Sequence, residues 1–254
     1  MKIAIIQSAL HWENPTENRR YFEQKINSIT EGIDLIVLPE MFTSGFTMNP
    51  KSVAETLNGE TITLLKFLAK SKNCAITGSL VIAENDNFYN RLVFIFPSGE
   101  IEYYDKKHLF SLAGEDKVYT SGNKKLIVEY KGFKICPLIC YDLRFPVFAR
   151  NIEDYDVLIY VANWPKPRTN AWDILLKARA VENMCYTIGV NRIGVDTNNH
   201  EYIGHSQAVD FLGNSILEPQ EKEGIFIVVL EKQKMLETRN KFGFLNDKDA
   251  FEMR

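Results

Sequence analysis

The sequence predicts a single mixed α/β sandwich, and three observations carry that expectation. Strand-like apolar runs and helical stretches alternate from one end of the 254 residues to the other. No low-complexity tract, Gly/Ser linker or fixed-period repeat divides the chain. Hydrophobic residues make up 45% and charged residues 25%, an ordinary globular balance. A chain of this length buries about three quarters of its unfolded surface, enough for a self-sufficient core.

Residues 3–7 read as the first strand. Asn14 then caps a helix, with Pro15 in its first turn and Glu17 completing an approximate capping box, and the helix runs to about Thr30. Through Gly32 the chain enters an apolar strand that ends at Pro39-Glu40, because proline cannot donate to a ladder. Ile62, Leu65, Leu68 and Ala69 recur at helical spacing over 61–71. Residues 74–83 and 91–96 are strands joined by a polar 84–90 turn, and Ser98-Gly99 turns into a strand over 100–105. Residues 107–125 form a long irregular stretch of the kind that walls an active site. An apolar run from Phe133 to Ile139, a short helix, a strand at Val157–Ala162, a helix over 171–182 and a strand at Tyr186–Asn191 follow. The last strands are 206–211, 215–218 and 225–230, with Gly213-Asn214 as a hairpin turn. The charged 232–254 segment is expected on the surface or against a second subunit.

Thirty basic and 33 acidic residues leave a net charge of −3, with no basic footprint for nucleic acid or an anionic membrane. No apolar run has the length of a spanning helix, and the start, Met1 to Gln7, is too short for a signal peptide. The expected compartment is therefore the cytoplasm, with Cys74, Cys136, Cys140 and Cys185 as reduced thiols.

Three segments carry chemistry. Cys140 is the first residue past an apolar run and opens the polar turn Tyr141-Asp142-Leu143-Arg144, where a thiol gains rigid support and free backbone N–H groups. Glu40 is a carboxylate at a strand end, and in isolation it reads equally well as a solvated loop acid. An alternating strand runs into the basic cluster Lys106-Lys107-His108, which by default is a solvated face. Zinc is the rival for Cys136, Cys140 and His108, but Cys136 lies inside a strand run and no second ligand pair follows. Cys74, Cys136 and Cys185 read as core thiols, and His108 as the partner in a local hydrogen bond.

Together these segments resemble the nitrilase superfamily of carbon–nitrogen hydrolases, whose catalytic set is Glu, Lys and Cys. Pro39-Glu40 matches the family's glutamate, Lys106 its lysine two positions before a His-Leu pair, and Cys140 to Pro146 its Cys-Tyr-Asp-x-Arg-Phe-Pro stretch. Glu115, in Ala113-Gly114-Glu115-Asp116, stands where the family has a second glutamate. Met41 to Phe46, Ala162 to Arg168, Ala178 to Asn183, Asn191 to Gly194 and Arg239 to Phe242 are similar to the omega-amidase branch. The resemblance implies a four-layer αββα sandwich in one domain over 1–254, no metal or cofactor, a small-molecule amide as partner and a homodimer. It implies thioester chemistry on Cys140, with Glu40 as proton carrier, Lys106 and the Tyr141 N–H at the oxyanion, and Glu115 orienting Lys106 or the substrate nitrogen. Candidate substrates are 2-oxoglutaramate and succinamate. Another C–N substrate, such as a nitrile or an N-carbamoyl compound, uses the same residues. A non-catalytic binding protein on the same fold is the reading from another class. Trp164, Phe110 and Arg168 are expected to bind substrate. Arg168 is placed to read a carboxylate at the end of a proline-stiffened loop, with Arg144 and Lys166 as alternative cations.

Overall fold

The computed structural model describes residues 1–251, so the last three residues of the 232–254 segment lie outside it. Along the chain run β1 (Lys2–Gln7), α1 (Pro15–Ser28), β2 (Leu35–Val37), α2 (Glu60–Lys72), β3 (Ala75–Glu84), β4 (Asn87–Ile95) and β5 (Ile101–Asp105). Then come β6 (Val128–Tyr130), β7 (Phe133–Ile139), α3 (Pro146–Ala149), β8 (Val157–Ala162), α4 (Thr169–Asn183) and β9 (Tyr186–Asn191). The chain closes with β10 (Ile193–Val195), β11 (Glu201–Ile203), β12 (Ser206–Val209), β13 (Ser215–Gln220), β14 (Gly224–Val229) and α5 (Lys232–Phe242).

Two six-stranded sheets form, in the orders β14-β1-β2-β3-β4-β5 and β13-β12-β9-β8-β7-β6. Each has a parallel centre, β1-β2-β3 or β7-β8-β9, extended by antiparallel strands. Alternation explains why these strands carry apolar residues on both faces. Ile3, Ile5, Leu35, Val37, Leu92 and Phe94 belong to a core shared with the second sheet. Their neighbours Ala4, Ile6, Ile36, Leu38, Val93 and Ile95 instead meet Phe22 and Ile26 of α1 and Leu65 and Leu68 of α2. Trp172 and Leu176 of α4 and Phe148 of α3 join the core of the second sheet. The result is the expected four-layer αββα sandwich.

Local chemistry shifted several boundaries. The 84–90 turn is only Asn85-Asp86, both at positive φ (50° and 63°), so β3 and β4 pair as far as Glu84 and Asn87. The first helix stops at Ser28, and only half of its capping box forms. Asn14 Oδ1 accepts the Glu17 N–H at 3.1 Å, while the Glu17 carboxylate turns to Arg20. The strand expected over 206–211 ends at Val209, and Asp210 closes the turn by accepting the Leu212 and Asn214 N–H groups at 2.9 Å. The β10–β11 hairpin and β6 were not expected, being too short to show a period. Helix α5 is held by buried Met235 and by Arg239, which donates to the Met184 and Tyr155 carbonyls at 2.7 and 2.6 Å.

Candidate active site

Each of the three predicted reactive residues follows a strand. Glu40 lies past β2, Lys106 is the residue after β5, and Cys140 begins a 3-10 turn (Cys140–Arg144) directly after β7. Glu40 and Lys106 come from the first sheet and Cys140 from the second. Glu115 opens a 3-10 turn inside the long loop and is fully buried, not the exposed loop acid it could have been.

Two of these strand ends bend through left-handed backbone, with φ of 44° at Cys140 and 43° at Met41, beside Glu40. Such geometry costs a non-glycine residue about 1–2 kcal/mol, so the surroundings must impose it. At Cys140 the buried Asp142 carboxylate does so. It accepts the Ile139 N–H at 3.0 Å, the Tyr104 hydroxyl at 2.8 Å and the His108 N–H at 3.1 Å, with His108 Nδ1 at 2.8 Å. At Met41 the N–H donates to Ser79 Oγ at 2.9 Å, and the Phe42 N–H to the Ser79 carbonyl at 3.0 Å.

Lys106 Nζ donates to Glu40 Oε1 at 2.9 Å and to Glu115 Oε1 and Oε2 at 3.0 and 2.9 Å. Burial opposes its charge, but Glu115 and Glu40 outweigh that and hold the ammonium protonated. Burial pushes the Glu115 carboxyl up, against the pull of Lys106. Burial and then the Glu40 charge push the Cys140 thiol well above its ordinary range, with Lys106 pulling the other way. At rest Cys140 is a thiol beside a carboxylate and an ammonium, an arrangement suited to proton transfer out of the thiol.

A cavity of about 720 Å³ opens over this group. Glu40, Lys106 and Cys140 line it, as do Phe110, Tyr141, Trp164 and Arg168 among the expected binding residues. Arg168 lies 5.1 Å over the Phe110 ring, its carbonyl accepting the Trp164 indole N–H at 2.7 Å. Arg144 also lines the cavity, 4.9 Å over Trp164. Arginine ion pairs involve Arg19, Arg20, Arg91, Arg179 and Arg239. Among the described residues Arg144 and Arg168 form none. Lys166 is corrected: it is exposed, pairs with Glu201 at 2.8 Å and is not part of the cavity wall.

Sequence reasoning passed over Asn90, Asn163 and the β10–β11 hairpin. Asn90 Nδ2 donates to Glu40 Oε1 at 2.9 Å and Glu115 Oε1 at 3.2 Å. Asn163, at the end of β8, gives its N–H to Glu40 Oε2 at 2.8 Å and its Nδ2 to the Glu40 carbonyl at 2.7 Å. Asn163 is a polar residue directly after an apolar strand, a signal like the one that picks out Glu40, whereas Asn90 lies within β4, just before its apolar run begins. The hairpin brings Asp196, His200 and Tyr202 to the cavity wall. Cys74, Cys136 and Cys185 are core thiols as expected, and His108 is stacked on Phe145 and bonded to Asp142.

The carbon–nitrogen hydrolase family model matches residues 2–240. Omega-amidase YafV from Escherichia coli K12 is 40% identical over all of this chain and 98% of its own length. A 2-oxoglutaramate amidase from Bacillus subtilis is 32% identical, covering 96% of each chain. The crystal structure of XC1258 from Xanthomonas campestris, a CN-hydrolase superfamily protein with an arsenic adduct in its active site, superposes with a TM-score of 0.97. It is 39% identical, covering 100% of this chain and 99% of that one.

Proposed function

This chain belongs to the carbon–nitrogen hydrolase family, and from that premise we propose that it is an omega-amidase, splitting the terminal amide of a small dicarboxylic monoamide into acid and ammonia. The observation that carries the reading is a cysteine at a strand end beside a buried lysine, itself gripped by two carboxylates at the floor of a cavity.

Glu40 takes the Cys140 proton as Sγ attacks the amide carbon. The oxyanion meets the Lys106 ammonium and the Tyr141 N–H, in the first turn past β7, where no preceding carbonyl claims it. Glu40 returns the proton to the nitrogen, the C–N bond breaks, and ammonia leaves a thioester on Cys140. Glu40 then takes a proton from water, hydroxide attacks the thioester, and the collapsing intermediate expels Sγ, which regains its proton. Glu115 holds Lys106 on target. Arg168 reads the far carboxylate, its ring and loop contacts holding it before substrate arrives. Four cysteines, none joined to another, fit a reducing cytoplasm. A homodimer is the accompanying expectation, which light scattering measures.

The test is ammonia release from 2-oxoglutaramate and succinamate against a neutral amide of similar length, a nitrile and an N-carbamoyl compound. The monoamides are expected to lead, and Cys140→Ala to abolish turnover. Arg168→Ala should cost about 2 kcal/mol or more on succinamate and much less on the neutral amide. Preference for the nitrile or carbamoyl compound would replace the assignment, and equal losses on both amides would make Arg168 a support of its loop.

A further inference from the structure

Asn90 occupies a position in the site that the reaction steps above leave unused. It is 1% exposed on β4, beside the fully buried Ser79 of β3. Ser79 Oγ accepts the Met41 N–H, and its own proton points to Asn90 Oδ1 at 2.8 Å. That bond decides which way the amide faces. With Oδ1 on the serine, both protons of Nδ2 face carboxylates, one on Glu40 Oε1 and one on Glu115 Oε1. The reversed amide would set its oxygen against two acceptors.

Charge makes this bond consequential. Glu40 and Glu115 share a single ammonium, so the ionised pair carries one uncompensated negative charge on fully buried side chains. We infer that Asn90 is a positioning residue, a neutral two-pronged donor oriented by Ser79 that keeps Glu40 and Glu115 ionised together around Lys106.

The titratable groups facing this cluster are Glu40, Glu115, Lys106, Cys140, Tyr119 and Tyr202, whose hydroxyl is pushed up by burial and by the Asp196 charge. Burial pushes Cys140 and Tyr119 up, so both remain protonated near neutrality, and Lys106 remains charged. Arg91, the next residue, points to the other face of β4 and pairs with Asp105 and Glu84. Of these kinds of group, only carboxylates change charge in the acid range. A donor that favours their ionised form stabilises the fold above their titration and loses that contribution as pH falls through it.

The inference rests on reading the site as a thiol amidase, so the experiment has one arm that needs no substrate. Melting temperatures of the parent, Asn90→Ala and Ser79→Ala are measured at about pH 5 and about pH 8. The deficit of each variant should be larger at the higher pH, with Ser79→Ala the milder. A residue that only packs two strands would give the same deficit at both. In the second arm, the acid limb of kcat/KM should move up by about one pH unit in Asn90→Ala, with kcat falling and KM little changed. Equal melting deficits with an unmoved acid limb would overturn the inference. If Asn90→Ala does not fold, Ser79→Ala carries both signatures and decides alone. A parent without activity on any omega-amide would remove the proposed substrate, while the melting arm would still decide the role of Asn90.

Discussion

Cys140 is the only cysteine not fully enclosed; Cys74, Cys136 and Cys185 are 0% exposed, and burial pushes Cys74 up to about 11 and Cys185 up to about 12. A small alkylating agent therefore reports on Cys140 alone. Its pKa is raised by burial first and by the Glu40 charge second. A raised thiol pKa means less thiolate at a given pH, so removing the negative charge should lower the pKa and enlarge the thiolate fraction. Glu40→Gln is thus expected to shift the pH profile of Cys140 alkylation by iodoacetamide to lower pH even as hydrolysis collapses. A shift to higher pH would mean that Glu40 favours the thiolate and that the resting site is already an ion pair.

Among the elements, the loop from Lys107 to Lys125 is held by a tight backbone contact. The Gly122 N–H donates to the Lys106 carbonyl at 2.9 Å, closing the loop back onto the end of β5. A Cβ at Gly122 would lie 2.2 Å from the Asp105 carbonyl oxygen, a backbone atom that cannot swing aside. Gly122→Ala must displace either the loop, which holds Glu115, or the strand end that bears Lys106. The expected result is a loss of about 1–3 kcal/mol in chemical denaturation, with kcat falling more than KM rises. A parent-like denaturation midpoint and kcat would show that the loop yields freely and does not hold the lysine.

Across the whole molecule, the proposed reactive set is divided between two sheets, so its geometry depends on their packing. Ile3, Leu35, Val37 and Phe94 of one sheet share a continuous core with Ile135, Leu138, Ile159 and Val161 of the other. Neither sheet can shed the other without exposing this core to water. Loss of activity, of far-UV circular dichroism and of tryptophan fluorescence (Trp12, Trp164 and Trp172) should follow one urea transition with a common midpoint. Activity vanishing at clearly lower urea would place the weak point in the loops over the cavity.

The strands, the helices and the strand-end positions of Glu40 and Cys140 were legible because they rest on local patterns, whereas the four layers, Lys106 and Glu115 were legible only through the family resemblance. Val157–Ala162 and Tyr186–Asn191 are strands at their expected bounds, since long apolar runs between breakers leave a chain few alternatives. Glu40 and Cys140 stood out as polar groups at the ends of such runs. Short pieces were not legible: β10 and β11 have three residues each, too few to establish an alternation, and exist because they pair with each other. Other partnerships were hidden: the resemblance pairs Glu115 with Lys106, but nothing in the spacing of Ser79, Asn90 and Asn163 says that they gather around Glu40. Sequence alone determined that Glu40 and Cys140 end apolar runs, through burial preference and strand termination acting within a few neighbours, and its motifs added Lys106 and Glu115 by family resemblance. Tertiary structure alone decided which oxygens Lys106 bridges, which way the Asn90 amide faces and which of Arg144, Lys166 and Arg168 reach the cavity. Those outcomes depend on distances between atoms far apart in the chain, set when two independently patterned sheets close on a common core.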